Sequence, residues 1–187
     1  MTYRVGYFVG SLSKVSINRK LAKALVRLSP ADLELVEIPT GELPLYNHDF
    51  DANYPAEGTA LKAALADVDA LLFVTPEYNR SIPGVLKNAI DWASRPWGTN
   101  SLTGKPAAVI GASIGGIGAS IGQQHLKQIL QFTDSPLMGQ PEGYITFTEG
   151  LITDDGEVTN EGTAEFLTFY MKSFLEHIEK NLPKQAA

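Results

Sequence analysis

A loop rich in hydroxyl groups separates the first apolar run of the chain from the first amphipathic segment. Residues 10–18 of this loop read Gly-Ser-Leu-Ser-Lys-Val-Ser-Ile-Asn. Three serine hydroxyls, an asparagine amide and the N–H groups at the start of a helix are the donors that a phosphate group requires. The same serines and asparagine could instead do no more than cap the helix. The pattern therefore predicts either a phosphate site or a plain helix cap.

Two further loops follow predicted strands. Residues 76–84, Pro-Glu-Tyr-Asn-Arg-Ser-Ile-Pro-Gly, can supply flat apolar contact and polar edges to a planar ring, although a proline-rich turn before a helix would look the same. Residues 113–118, Ser-Ile-Gly-Gly-Ile-Gly, form the third loop. Its glycines either let backbone N–H groups approach such a ring closely or only permit a tight turn.

The spacing of the glycines excludes two common nucleotide-binding loops. A Walker A loop has four residues between its glycine and Gly-Lys, whereas five separate Gly98 from Gly104, and Pro106 stands where Ser or Thr is needed. The third glycine of a dinucleotide fingerprint would fall on Ile121. A hydroxyl-rich first loop instead favours a single terminal phosphate, as in FMN, over a pyrophosphate.

The third loop also carries a competing motif. Residues 111–115, Gly-Ala-Ser-Ile-Gly, match the G-x-S-x-G nucleophile elbow, with Asp154 and His177 downstream in the order of a hydrolase triad. A serine hydrolase with Ser113 as nucleophile is therefore a remote alternative. However, residues 118–122 repeat the spacing, which shows how easily a glycine-rich segment produces it. His177 lies between acidic neighbours and is expected to be a solvated surface side chain.

Short apolar runs alternate with amphipathic segments along the whole chain, a pattern typical of a parallel sheet covered by helices on both faces. Ser81 is expected to cap the third helix, with Pro83 in its first turn. The fold class predicted is α/β, a flavodoxin-like doubly wound sheet of five strands in the order 2-1-3-4-5, in one domain over residues 1–187. The predicted strands are 3–9, 33–38, 70–75, 106–112 and 142–147, and the predicted helices are 17–28, 56–66, 81–95, 118–133 and 160–181.

Composition narrows the possible chemistry. The 187 residues include no cysteine, which removes thiol nucleophiles and iron–sulfur clusters, and the three histidines lack metal-ligand spacing. Any redox chemistry must then depend on a cofactor, and no metal site is expected. A net charge of −6 without a basic patch argues against nucleic acid, and the absence of a signal-like or membrane-spanning segment predicts a cytoplasmic protein with no membrane partner.

Three segments together resemble the NAD(P)H-dependent FMN reductase family, whose members include bacterial quinone, azo-dye and chromate reductases. They are the loop 10–18, the run Thr-Pro-Glu-Tyr-Asn-Arg-Ser-Ile-Pro-Gly-Val-Leu-Lys-Asn-Ala-Ile-Asp-Trp over 75–92, and Leu-Thr-Gly-Lys-Pro from Leu102. The similarity extends over nearly the whole chain, in order and with matching gaps. One departure is Ser13, since many members have arginine at this position. Serine cannot replace the bidentate phosphate contact of an arginine, and Lys14 compensates only in part.

The resemblance implies bound FMN and assigns residues to each part of it. The phosphate would be surrounded by Ser11, Ser13, Ser16, Ile17 and Asn18. The isoalloxazine ring and ribityl chain would lie along Pro76, Glu77, Tyr78 and Asn79, and the pyrimidine edge along Ser113, Ile114, Gly115 and Gly116. No side chain is expected to act as a nucleophile or as an obligatory acid or base.

The resemblance also implies an activity and an assembly. NAD(P)H, with NADPH favoured, would pass a hydride through flavin N5 to quinones, azo compounds or metal oxyanions in a ping-pong cycle. The family assembles as dimers or tetramers, and residues 43–47 resemble its interface segment, so a homo-oligomer is expected. The alternative is an electron-transfer flavodoxin that docks protein partners, although such carriers tend to be more strongly acidic than this chain.

Overall fold

The computed structural model describes residues 2–182, and its elements alternate as the apolar pattern predicts. The strands are β1 (Tyr3–Val9), β2 (Leu33–Glu37), β3 (Ala70–Val74), β4 (Ala107–Ser113) and β5 (Gly143–Thr146). The helices are α1 (Ile17–Leu28), α2 (Ala56–Ala66), α3 (Gly84–Ala93), α4 (Ser120–Phe132) and α5 (Glu161–Asn181). A short 3-10 helix, His48–Ala52, lies within the long connection between β2 and α2.

The five strands form one sheet in the order β2-β1-β3-β4-β5, with every neighbouring pair parallel. Every residue of β3, Ala-Leu-Leu-Phe-Val, is buried, as the continuous apolar run predicts for a strand covered on both faces. The winding direction reverses between β1 and β3, because β2 lies on one side of β1 and later strands on the other. The flavodoxin-like fold class is therefore confirmed.

Helices cover both faces of the sheet and divide the core into two parts. On one face, Leu21 and Leu25 of α1 and Phe174 of α5 pack with Val5 and other strand residues. On the other face, apolar side chains of α2, α3 and α4 pack around the stacked rings of Phe8 and Phe73, whose centroids are 4.8 Å apart. No helix within residues 2–182 is long and apolar enough to cross a membrane.

The start of α3 differs from the prediction. The N-cap residue of α3 is Pro83, which makes no side-chain hydrogen bond to the helix. Ser81 instead pairs with Tyr78 through two backbone hydrogen bonds of 2.9 and 3.0 Å. The expected cap at Ser81 was therefore wrong. The reason is a tight reversal at Asn79 and Arg80, both at positive φ (51° and 63°), which closes a small hairpin before the helix begins.

Candidate active site

The three predicted loops meet at the carboxyl edge of the sheet. The N–H of Gly10 donates to the carbonyl of Val74 at 2.9 Å, which joins the ends of β1 and β3. The amide of Asn18 donates to the carbonyl of Ala112 and accepts from its N–H, both at 2.9 Å, which ties α1 to β4. In doubly wound sheets, ligands bind at this edge, where the winding direction reverses.

The first loop delivers polar groups to the amino end of α1. Ser16 caps this helix, its hydroxyl accepting from the N–H of Arg19 at 3.2 Å. Ile17 and Asn18 are the first two helical residues, and N–H groups at these positions have no acceptor within a helix. Ser11 of the same loop is buried, and its hydroxyl accepts from the N–H of Ser13 at 3.3 Å. The loop thus combines hydroxyls and N–H groups, the donor set that suits a phosphate.

The charge around this loop favours an anion. The first turn of α1 contains no acidic residue, and Lys14, Arg19, Lys20 and Lys23 line an adjoining groove of about 390 Å³ with Asp154. Lys20 Nζ lies 2.7 Å from Asp154 Oδ1, and this hydrogen bond lowers the pKa of the Asp154 carboxyl. Arg19 pairs with Glu37 at 2.9 Å. The surplus of cations adds to the positive potential at this end of the helix, and both favour an anion.

Two predicted site residues have side chains that are already engaged with protein groups. The Asn18 amide is buried against Ala112, so only its backbone N–H is available to a phosphate. Glu77 accepts from the N–H groups of Ile121 and Gly122 with one carboxylate oxygen, each at 3.0 Å. Its neighbours Pro76, Tyr78 and Asn79 lie in the hairpin region, where the Tyr78 ring is largely exposed.

The third loop leaves its backbone open. Ser113 Oγ accepts from the N–H of Gly115 at 3.1 Å, which curls the loop at the end of β4. A Cβ added at Gly116 would meet no heavy atom within 4 Å, and at Gly115 only Ser113 Oγ at 3.5 Å. Ile114, between Ser113 and Gly115, is 82% exposed. This stretch can therefore approach a ligand along its backbone.

Exposed apolar side chains mark the same edge, and the sequence prediction missed most of them. Leu12 is 61% exposed, and Val15 and Ile117 are exposed as well. Tyr78 and Ile114 are exposed too, so each of the three loops carries at least one exposed apolar side chain. The sequence signal that could have identified them is the presence of apolar residues inside polar loops. Exposed apolar side chains near convergent polar groups are typical of a binding site.

The hydrolase triad is not assembled. His177 Nε2 lies 2.9 Å from the carbonyl of Pro136, and that carbonyl also accepts from Ala107 at the start of β4. Ala107 and Ser113 are the two ends of this seven-residue strand, about 20 Å apart at 3.3 Å per residue, and His177 lies at the Ala107 end. Asp154 pairs with Lys20. The serine hydrolase prediction was therefore wrong, and His177 is half-buried instead of fully solvated.

Residues 2–182 contain no cluster of three or more His, Cys, Asp or Glu side chains that could hold a metal ion. An open groove of about 1060 Å³ does lie elsewhere, between the end of α3 and the end of α4, with Trp97 and Phe132 in its lining. None of the predicted site residues lines it, so we do not assign the cofactor to this groove.

Comparison with known proteins identifies relatives along the whole chain. A 2-hydroxy-1,4-benzoquinone reductase of Burkholderia sp. is 47% identical over 174 residues, covering 93% of this chain and 95% of that protein. A quinone reductase of Pseudomonas putida is 44% identical over 180 residues, covering 96% of each. The solved structure of FerB, a flavoenzyme NAD(P)H:(acceptor) oxidoreductase from Paracoccus denitrificans, has a TM-score of 0.92 at 47% identity, covering 96% of this chain and 99% of that one.

The family model described as NADPH-dependent FMN reductase matches residues 3–149. This span contains β1 through β5 and all three loops of the candidate site. Family model, relatives and fold agree with the resemblance seen in the sequence motifs, and the chain is a member of the NADPH-dependent FMN reductase family.

Proposed function

We propose that the protein is an FMN-dependent NAD(P)H oxidoreductase that reduces quinones. The observation that carries the proposal is the set of hydroxyl and N–H groups at the start of α1, over Ser11 to Asn18, together with exposed apolar side chains on the loops of the same sheet edge. FMN has one terminal phosphate and one flat ring, so the two features fit its two ends. The names of the quinone reductases that it resembles support the choice of acceptor.

The role of the protein's own residues would be to position the FMN and to shield it. Ser11, Ser13 and Ser16, with the first N–H groups of α1, would hold the phosphate. The backbone of residues 113–116 would meet the polar edge of the ring, and Pro76, Tyr78 and Asn79 would flank it. When bound, FMN supplies the redox chemistry, accepting a hydride from NAD(P)H and passing electrons to the acceptor. We propose that the two substrates use one open face in turn, giving a ping-pong cycle that also admits azo compounds and metal oxyanions.

The decisive experiment is a fluorescence titration of the purified apo-protein with FMN, followed by NADPH and NADH oxidation against a panel of quinones. We expect saturable binding at one FMN per chain and consumption of either nucleotide with a quinone, NADPH being the better reductant. Parallel lines in double-reciprocal plots would support the ping-pong order. Tight FMN binding without nicotinamide oxidation would instead indicate an electron-transfer flavodoxin.

We also propose that copies of the chain associate, as a dimer or tetramer. Leu45 is almost fully exposed, although its segment is fixed to α3, because the carbonyl of Pro44 accepts from Asn88 at 2.9 Å and from Trp92 at 2.7 Å. Trp97 and Phe132 are exposed along the groove near the end of the same helix. Rigid exposed apolar groups favour association. Light scattering coupled to size exclusion should give twice or four times 20.2 kDa.

Ser13→Arg should strengthen FMN binding. Ser13 is the position where many family members have arginine, and here its hydroxyl accepts only a long 3.4 Å bond from the N–H of Val15. A guanidinium can bind phosphate through two charge-assisted hydrogen bonds, which at an exposed site stabilise binding by about 1.4 kcal/mol, or roughly tenfold in Kd. Fluorescence titration measures the change, and Ser13→Ala, which removes the hydroxyl and adds no charge, is the matched control, expected to bind FMN more weakly than wild type. An arginine variant that binds no more tightly than wild type contradicts the assignment of this loop.

A further inference from the structure

The Glu77 carboxylate connects two of the three site loops. Oε2 accepts from the N–H groups of Ile121 and Gly122, both at 3.0 Å, and Oε1 lies 3.1 Å from Arg80 Nη1. The Glu77 side chain is only 9% exposed, whereas that of Arg80 is 66% exposed. The hydrogen bond from Gly122 is partly buried, whereas those from Ile121 and Arg80 lie at the surface.

The amino end of α4 depends on this carboxylate. The residue at its cap position is Ala119, which has no side-chain acceptor and stands at φ 63°, in the left-handed region. The first N–H groups of a helix need an acceptor from outside the helix. Glu77, more than forty residues earlier in the chain, supplies that acceptor to two of them.

Close packing accompanies the hydrogen bonds. A Cβ added at Gly122 would lie 3.0 Å from the carbonyl oxygen of Ser81 and 3.3 Å from Cβ of Glu77. Glu77 and Ser81 belong to the second loop, and Gly122 belongs to the helix that continues the third. The two loops therefore touch through this turn, and the spacing between them is set by Glu77 and Gly122.

We propose that Glu77 is a positioning residue, which fixes the third loop against the second through α4 so that a preformed slot receives the flavin ring. This inference rests on the proposed function. The carboxylate also neutralises the positive end of the α4 dipole, whereas α1 has a neutral serine cap and no acid in its first turn. The carboxylate itself does not contact the ring.

The test compares Glu77→Ala with Glu77→Gln and Arg80→Ala. Glutamine retains an acceptor for the two N–H groups, and the arginine variant removes only the exposed ion pair. For Glu77→Ala we expect at least tenfold faster amide exchange at Ile121 and Gly122 in the apo-protein and at least tenfold weaker FMN binding. At saturating FMN, its visible circular dichroism should also differ from wild type. For Glu77→Gln and Arg80→Ala, the amide exchange rates and the FMN affinity should stay within about threefold of wild type. Their visible circular dichroism should match that of wild type.

The measurements separate the possible failures. If Glu77→Ala shows fast amide exchange but wild-type FMN affinity and circular dichroism, the positioning role is overturned. It is also overturned if amide exchange at Ile121 and Gly122 does not change in this variant. If that variant does not fold, Glu77→Asp, which is one methylene too short to reach both N–H groups, takes its place with the same expectations. If the wild-type protein binds no FMN, the proposed function is overturned, and the positioning role with it. Amide exchange in the apo-protein still decides whether Glu77 holds the first turn of α4.

Discussion

Ser16→Asp should leave α1 folded and yet prevent FMN from binding. Aspartate is as good an N-cap as serine, and a negative charge at this end of a helix stabilises it by about 0.3–1 kcal/mol. The same charge would face the phosphate. At an effective dielectric constant near 20 and a separation of about 5 Å, each unit of phosphate charge is then repelled by about 3 kcal/mol. We expect the Kd for FMN to rise at least about 100-fold while the thermal midpoint stays level or rises.

Two controls isolate the effect of charge at the proposed phosphate site. Ser16→Ala removes the bond from Arg19 N–H and should cost about 1 kcal/mol of stability with roughly tenfold weaker binding. Asn160→Asp places the same charge at the cap of α5, outside the three loops, and should leave FMN affinity within about threefold. Fluorescence titration and thermal melts measure both quantities. Wild-type affinity in Ser16→Asp would show that no phosphate binds at the start of α1.

The fold followed from local pattern because every strand and helix repeats its period over several residues. Ala56–Ala66 was predicted with the observed bounds, and the continuous apolar run before Pro76 correctly indicated a strand buried on both faces. The order of the strands followed from the strict alternation of strands and helices, which limits the ways of winding a parallel sheet. Such signals are carried by many residues at once, so a single misleading side chain does not change them.

The roles of individual site side chains were less predictable, because their partners are distant in sequence. Asn18 bonds to Ala112, 94 residues away, and Glu77 bonds to Ile121, 44 residues away. From local composition both side chains looked free to meet a ligand. Ser81 illustrates the same limit at short range, since a serine two residues before a proline fits either a helix cap or a hairpin, and the positive φ at Asn79 and Arg80 decided it.

The glycines around the third loop divide into two classes that the sequence pattern could not separate. A Cβ at Gly111 would lie 2.1 Å from the backbone oxygen of Thr75, so this glycine allows β3 and β4 to approach each other. Gly118 has φ 56° and faces the backbone of Tyr144 at 2.6 Å. At Gly116, by contrast, a Cβ would meet nothing within 4 Å, and at Gly115 it would make only an ordinary contact with Ser113 Oγ at 3.5 Å. The first pair serves the fold, whereas the second pair has room for the cofactor contact that we propose.

Gly111→Ala should therefore be strongly destabilising, whereas Gly116→Ala should affect only cofactor binding. Because the clash at Gly111 is with main chain, a strand must move, and we expect a loss of at least about 3 kcal/mol, or about 6–12 °C in the thermal midpoint. At Gly116 the stability should change by less than about 0.5 kcal/mol. The added methyl group would nonetheless keep the backbone from the ring and weaken FMN binding about tenfold.

Thermal melts of the apo-proteins and FMN titrations distinguish the two classes of glycine. Gly118→Ala is a second test of the first class, since strained backbone and close contact with Tyr144 act together there. If Gly116→Ala binds FMN as tightly as wild type, the third loop does not meet the cofactor through its backbone. If Gly111→Ala melts like wild type, the contact between β3 and β4 at Thr75 can relax, and the glycine there is needed for some reason other than packing.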